Sequence, residues 1–274
     1  MYIFLLLLLF LGSVVTGMLL YNILEKEKDK TISQMNNPYG ISHRGGRAHN
    51  EDCILVKRIK DIYLLAVADG IGGHRAGEVA SKIAVDTLEE YISERYREDL
   101  STEEIVELLK EAYRLAHKRI RENAIGDREG MGTTLTTAVV KGDKCIVLNC
   151  GDSRGYLIRG GDIIHRTKDH SFVQALVDMG KISEEEAMFH PMRNIITSAL
   201  GLDEIHIDSY LWDLKEGDVI LLSSDGLHDY VEKEEILNIV SRYKDPKEIV
   251  EKLLDVALKK TGDNVSIIVY RKTS

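Results

Sequence analysis

The chain has 274 residues and a formal net charge of −9, with 30% charged and 44% hydrophobic residues. This is the composition of a globular protein long enough to bury a substantial core, and its acidity excludes general nucleic-acid binding, which leaves a basic footprint. Three prolines exclude collagen-like and Pro-rich disordered classes, and three cysteines without a C-x-x-C exclude a disulfide scaffold and a zinc ribbon.

Residues 2–24, YIFLLLLLFLGSVVTGMLLYNIL, carry no charge. As a helix this stretch spans about 35 Å, enough for a hydrocarbon core of about 30 Å. A secretory signal would want a basic n-region, a shorter apolar run and a small-residue cleavage site, and none is present. The expectation is an uncleaved, single-pass transmembrane helix that fixes the protein in the cell membrane. Lys26, Lys28, Lys30, Arg44 and Arg47 follow the span, whereas Met1 and its amine alone precede it. Positive charge on that side expects the remainder of the chain in the cytoplasm. Residues 25–38, with the run EKEKDK, read as a hydrated juxtamembrane linker. Residues 39–274 show no repeat, low-complexity stretch or break in composition, so they read as one domain.

Two helical periods come first. Residues 77–99 align Val79, Ile83, Val85, Leu88 and Ile92, and residues 102–123 align Ile105, Leu108, Leu109, Ala112, Leu115, Ala116 and Ile120. Ser101 or Thr102 caps the second, ahead of Glu103 and Glu104. The short turn between them predicts antiparallel packing. Further helices are expected at 233–243 and 246–260, with a mixed segment at 170–187. Short runs rich in Val, Ile, Leu and Thr predict strands at 53–59, 62–68, 134–140, 144–150, 154–159, 205–210, 218–223 and 265–271. KGDK (141–144) and RGGD (159–162) are hairpin signals, so the pairing is antiparallel. Together these give an α+β layered domain with helices outside a β core.

Aspartates stand where the apolar strands meet loops. Asp69 follows LLAVA, Asp152 follows CIVLNCG, Asp225 follows VILLSS, and Asp263 precedes VSIIVY. In an antiparallel core three strand exits and one entry can share one rim. Carboxylates gathered there would repel one another, and a divalent cation relieves that repulsion. Oxygen ligands without His or Cys spacing select magnesium, manganese or calcium over zinc. Gly70 and Gly226, directly after two of these aspartates, permit tight turns and free carbonyls. Arg47, in RAHNED, offers a guanidinium that can hold a phosphate bidentately.

The order of motifs resembles the metal-dependent protein phosphatase 2C family in its compact prokaryotic form. The residues carrying the resemblance are RAHNED (47–52), VADGIGGHRAGEVAS (67–81), GMGTT (130–134), NCGDSRGYLIRGG (149–161), TKDHSFVQALVDMGKISEEEA (167–187), LLSSDGLHDYV (221–231) and GDNVSIIV (262–269). They run in family order across about residues 40–271.

The resemblance implies a β-sandwich of two antiparallel sheets flanked by pairs of antiparallel helices, here behind the N-terminal transmembrane helix. It implies hydrolysis of phosphoserine and phosphothreonine on proteins, with two Mn2+ or Mg2+ ions and a third, weaker site. By position Asp69 would bridge both metals, the Gly70 carbonyl would bind one, and Asp225 and Asp263 would complete the other. Glu51 would serve the second metal, with Asp52 in the outer shell through water. Asp152 would share the third metal with Asp225. Arg47 would bind the phosphate, and residues 165–198 would form the variable flap. Many eukaryotic members carry His directly after Asp-Gly; here that position is Ile71, and the nearest His is His74, which has either an acid or a loop hydrogen-bonding role.

The chemistry is consistent on its own terms. Two such metals about 4 Å apart can hold a bridging hydroxide near neutral pH for in-line attack on phosphorus. Arg47 would neutralise the non-bridging oxygens. There is no Cys-x5-Arg loop and no GxxxxGK[ST] P-loop. The partners expected are phosphorylated proteins made by Ser/Thr kinases, and the membrane through the N-terminal helix. The alternatives are a catalytically silent, phosphatase-like binding module and a structural calcium site.

Overall fold

The computed structural model describes residues 30–32, 37–72 and 76–273. The stretch read as a membrane helix, 2–24, and the candidate His74 lie outside the described residues. Among the described residues no helix is long and apolar enough to cross a membrane.

The described residues begin with strand β1 (Lys30–Ile32), inside the stretch read as a linker, then β2 (Tyr39–His43), β3 (Asp52–Ile59) and β4 (Ile62–Ile71). Helices α1 (Ala76–Arg95) and α2 (Thr102–Asn123) follow, then β5 (Gly132–Thr133), β6 (Leu135–Lys141), β7 (Lys144–Cys150), β8 (Arg154–Arg159) and β9 (Asp162–Arg166). Two short helices, α3 (Phe172–Asp178) and α4 (Glu184–Met188), precede β10 (Asp208–Asp213) and β11 (Val219–Ser223). The chain closes with α5 (Asp225–His228), α6 (Lys233–Arg242), α7 (Pro246–Ala257) and β12 (Val265–Arg271).

These strands form two antiparallel sheets. One has the order β1-β2-β12-β11-β8-β9, the other β10-β7-β6-β4-β3, with β5 added beside β4. The hairpin signals are where they were expected: Gly142, at φ 57, joins β6 to β7, and Gly160 and Gly161, at φ 60 and 91, join β8 to β9. Ser101 forms a capping box with Glu104 at the start of α2, an arrangement worth about 1 kcal/mol. Arg119 on α2 reaches Glu90 and Thr87 on α1, as antiparallel packing requires.

Four layers result from side-chain parity. In β4, Leu65 and Val67 face the other sheet and meet Leu157, Ile220, Leu222 and Ile268. The alternate residues Leu64, Ala66 and Ala68 face α1 and α2, against Leu88, Leu109 and Ile120. The second sheet buries Ile41, Leu221, Ile267 and Val269 under α6 and α7, against Ile236, Val240, Ile249 and Leu253. A strand covered on both faces reads as a continuous apolar run, which is why LLAVA carries no alternation. Cys145 and Cys150 fall on opposite faces of β7, one between the sheets and one under the helices.

Three expectations change. The strand expected at 205–210 lies at Asp208–Asp213, paired residue for residue with β7. The mixed segment at 170–187 resolves into two short helices, each with a Ser N-cap, Ser171 and Ser183. Asp69 is not at a strand exit: β4 continues through it to Ile71, because Asp52 pairs it on one side and β5 takes over as partner of Gly70 and Ile71 on the other.

Candidate metal and phosphate site

The inner layer of the sandwich is apolar for most of its length and becomes polar at one end. Asp69 has the inward parity of Leu65 and Val67, and its cross-strand partner Asp52 has that of Ile54 and Val56. From the facing sheet come Ser224, just past β11, and Ser266 in β12. Ser224 Oγ donates to Asp52 Oδ2 at 2.7 Å and accepts from the Ser266 N–H at 2.9 Å. The remaining oxygen, Asp52 Oδ1, is buried with no hydrogen-bond partner.

Around this floor stand the other carboxylates. Asp152 sits on the turn leaving β7, Asp225 opens α5, Glu51 precedes β3, and Asp263 precedes β12. Burial pushes the Asp52 carboxyl up to about 6 and Asp152 up to about 7. Burial, then the neighbouring charges of Asp52, Asp225 and Asp152, holds Asp69 well above the usual carboxylate range. Asp225 is raised in the same way by burial and by Asp152 and Asp263. Burial raises Glu51 as well, against the opposing pull of Arg47. The sequence-predicted residues Glu51, Asp52, Asp69, Asp152, Asp225 and Asp263 therefore share one electrostatic neighbourhood.

Such a set is costly without a cation, since like charges in a partly desolvated site each disfavour ionisation of the others. An all-oxygen donor set with an unpartnered buried Asp52 Oδ1 fits a hard divalent ion and its water. The backbone is shaped for close approach. A Cβ on Gly70 would lie 2.2 Å from the Gly77 carbonyl oxygen and 2.6 Å from that of Glu51, and one on Gly226 would lie 1.9 Å from that of Asn264. Only glycine lets α1 and the 264 turn press against these carboxylate-bearing segments.

Arg47 lies at the rim, with its side chain 59% exposed, and its Nη2 is 2.7 Å from Asp263 Oδ2. That contact raises its already high pKa, so the guanidinium stays charged. An exposed cation beside a carboxylate cluster can meet an incoming anion.

Several positioning groups escaped the reading of the sequence. Thr134 Oγ1 accepts the Asp69 N–H and Thr134 N–H donates to the Asp69 carbonyl, both at 2.9 Å. GMGTT, otherwise a turn into a strand, therefore clamps Asp69 at both backbone groups. Asn264 Oδ1 accepts the Glu51 N–H, while its amide donates to the Arg44 and His49 carbonyls. His170 donates its backbone N–H to the Gly151 carbonyl and accepts the Gly151 N–H on Nδ1. The turn that carries Asp152 is tied in this way to the root of the 165–198 segment. All these residues stood in the quoted motifs, but nothing in a single sequence says which neighbour a polar side chain will reach.

A second group, His170, His206 and Asp208, brings three possible metal ligands within 4.8 Å of one another. The Gly151 N–H facing His170 Nδ1 leaves the ring proton on Nε2, directed at Asp208 Oδ2 at 3.3 Å. A metal-bound Nε2 would need the opposite tautomer. This group is a hydrogen-bonded relay, and the oxygen-rich cluster remains the candidate metal site.

Comparison with known proteins agrees with this geometry. The chain is 39% identical over 226 residues to the serine/threonine protein phosphatase PstP of Mycobacterium tuberculosis, covering 81% of this chain and 42% of that protein. It therefore spans less than half the length of that relative. It is 36% identical over 234 residues to the serine/threonine phosphatase stp of Listeria welshimeri, covering 82% of this chain and 91% of that one. The crystal structure of the PstP catalytic domain in complex with two manganese ions superposes with a TM-score of 0.72 at 34% identity, covering 89% of this chain and 99% of that one. The sequence model of protein phosphatase 2C matches residues 39–260. With that match across the sandwich, and its carboxylates gathered at one end of the inner layer, the chain belongs to the protein phosphatase 2C family.

Proposed function

We infer that the chain is a metal-dependent serine/threonine protein phosphatase. The observation that carries this is the convergence of Glu51, Asp69, Asp152, Asp225 and Asp263, from separate segments, around the serine-held Asp52, with Arg47 at the rim.

Asp69, Asp225, Asp263, Glu51 and the Gly70 carbonyl are the proposed holders of two divalent ions, Mn2+ or Mg2+, with Asp152 and Asp225 toward a third. That a relative of 34% identity holds two manganese ions supports the two-ion reading. Bound there, such ions would activate water and neutralise phosphate oxygens. The chain's own residues do the rest. Arg47 binds and orients the phosphate through charge-assisted hydrogen bonds. Thr133 and Thr134 fix the Asp69 backbone, Ser224 fixes one Asp52 oxygen, and the other oxygen is left to hold water. Positioning and charge neutralisation are what phosphoryl transfer chiefly needs.

The test is release of phosphate from a phosphothreonine peptide by the purified full chain. Turnover is expected with added manganese and not in EDTA. Undiminished turnover in EDTA would sink the metal mechanism, and absence of turnover with every divalent ion would leave the silent binding module.

The same inference extends to location. The uncharged residues 2–24 are a proposed single-pass anchor in the cell membrane, and the lysines that follow are proposed to hold residues 39–274 in the cytoplasm. Phosphorylated proteins at the inner membrane surface would then be the substrates. Protease added to intact cells should leave a C-terminal tag untouched. Its removal would reverse the orientation, and recovery of the full chain in the soluble fraction would reject the anchor.

A further inference from the structure

The backbone pairing of β1 fixes where the chain enters the sandwich. Lys30 pairs with His43 in β2, and His43 pairs with Val265 in β12, so the three stand in one row. The next row is Thr31, Ser42 and Ser266, and it leads straight to the site. Ser42 Oγ accepts from Ser266 Oγ at 2.8 Å, and the Ser266 N–H donates to Ser224 Oγ, the group that holds Asp52. Adjacent strands lie about 4.8 Å apart, which puts the Lys30 backbone roughly 10 Å from that of Val265. Asp263, just before Val265, meets Arg47 at 2.7 Å. The chain therefore enters β1 at the end of the sandwich that carries the carboxylates.

The end of entry matters because the sandwich is long. β12 runs for 7 residues, from Val265 to Arg271, which carries it about 20 Å from the carboxylate end to the far end. β2 begins at Tyr39, which pairs with Val269 toward that far end. Without β1, a chain coming from residue 24 would first reach the sheet at Tyr39, and the carboxylate end would be the distal one. With β1 in place, only residues 25–29 separate the uncharged stretch 2–24 from the sandwich. Whatever their conformation, they span at most about 20 Å. Residues 25–38, the linker expected from the sequence, would span up to about 50 Å.

We propose that β1 makes the carboxylate end of the sandwich the bilayer-proximal end, and that the chain acts on phosphorylated residues in the extended segment next to a membrane protein's own span. The proposal rests on the phosphatase reading and on the anchor at residues 2–24, and it adds a substrate class to them. The class follows from the size of the gap. About 20 Å admits an extended polypeptide, about 10 Å thick at the spacing of stacked sheets, and excludes a folded domain of about 30 Å. A phosphorylated residue near the bilayer also gains the most from a shared surface. Its effective concentration falls roughly as the −3/2 power of the spacer that ties it to the membrane.

The experiment uses the full chain with manganese in phosphatidylcholine–phosphatidylglycerol vesicles. Two substrates share one transmembrane helix and one phosphothreonine sequence, set on Gly/Ser spacers of about 6 or about 40 residues, the shorter reaching at most about 20 Å from the bilayer. p-Nitrophenyl phosphate is the soluble reference. The short-spacer substrate is expected to be dephosphorylated about tenfold faster than the long-spacer one. Thr31→Pro with Ile32→Pro strips β1 of its backbone donors, and a Gly/Ser insertion of about 20 residues after Leu24 lengthens the tether. Each should narrow that gap and leave p-nitrophenyl phosphate turnover unchanged, since β1 is a three-residue strand at the edge of its sheet. Equal rates, or faster cleavage of the long-spacer substrate, would overturn the proposal while hydrolysis of the ester kept the phosphatase reading. An undiminished gap in the proline variant would overturn entry through β1. Failure of the full chain to float with the vesicles would remove the anchor and the proposal with it. Loss of hydrolysis of all three substrates by the wild type would overturn the phosphatase reading itself.

Discussion

Asp52 and Asp69 stand directly opposite each other in the β3–β4 register, with both side chains directed into the layer between the two sheets. Directly opposed like charges destabilise a sheet. This chain keeps the pair and anchors one member from the facing sheet, through Ser224 Oγ on Asp52 Oδ2. The repulsion is therefore built into the end of the sandwich, where a divalent cation can relieve it.

Ser224→Ala removes the donor to Asp52 and the acceptor for the Ser266 N–H. Two buried groups lose a partner, at about 1–3 kcal/mol for each such group. The expected outcome is a lower thermal midpoint and weaker manganese binding, read by differential scanning fluorimetry with and without the metal. An unchanged midpoint would mean that water replaces the hydroxyl without loss.

The metal-free protein should lose stability as pH rises through neutrality. Asp52 is raised to about 6 and Asp152 to about 7 from an ordinary value of 3.8. The folded state therefore binds more protons than the unfolded state between those values, and stability falls with pH across that window. The contribution is complete below about 3.8 and is lost as pH passes through 6 and then 7. Urea midpoints in EDTA should show this slope, Asp152→Asn should flatten its upper part, and saturating manganese should abolish it. A metal-free midpoint that climbs steadily from pH 5 to pH 8 would contradict the crowding of the carboxylates.

Asp225→Asn or Asp263→Asn should lower kcat by at least about a hundredfold, the scale expected when a ligand to a catalytic metal is lost. The fold should survive, because replacing either carboxylate by an amide relieves repulsion from its neighbours. Steady-state kinetics across a manganese titration checks both points. Recovery of full kcat at high manganese would assign these residues to affinity alone.

Arg47→Ala should raise KM for a phosphopeptide several-fold, about 1 kcal/mol for a charge-assisted contact that is screened by solvent at this exposed side chain, with metal affinity nearly unchanged. The Arg47–Asp263 contact adds a second outcome to measure, since removing the cation also frees Asp263, a proposed metal ligand. Isothermal titration with manganese, run beside the kinetics, separates the two effects. A wild-type KM would remove Arg47 from phosphate binding.

Much of the architecture was legible along the chain. The 3.6-residue period located α1 and α2, the KGDK and RGGD turns located two hairpins, and Ser101 with Glu104 capped α2 where expected. The aspartates were legible for a similar reason: a charge at the end of an apolar run breaks a local pattern. Local pattern also missed things. β9 is only partly buried and carries Arg and His, so it lacked the apolar signal of the core strands. β10 was placed early because 205–210 contains apolar residues that pack on the helix side without pairing in the β7 ladder.

By itself the sequence determined the four long helices and most of the strands of the core, and which residues bear the charges. Hydrophobic periodicity and turn chemistry act over a few residues and need no partner. Tertiary structure alone decided that Asp52 faces Asp69, that Ser224 holds Asp52 across 172 positions of chain, that GMGTT clamps the backbone of Asp69, and that the α3–α4 segment closes a groove onto Asp152. Each depends on strand register and on the packing of one sheet over the other. A shift of one residue in β3 alone would turn Asp52 to the opposite face, away from Asp69 and Ser224.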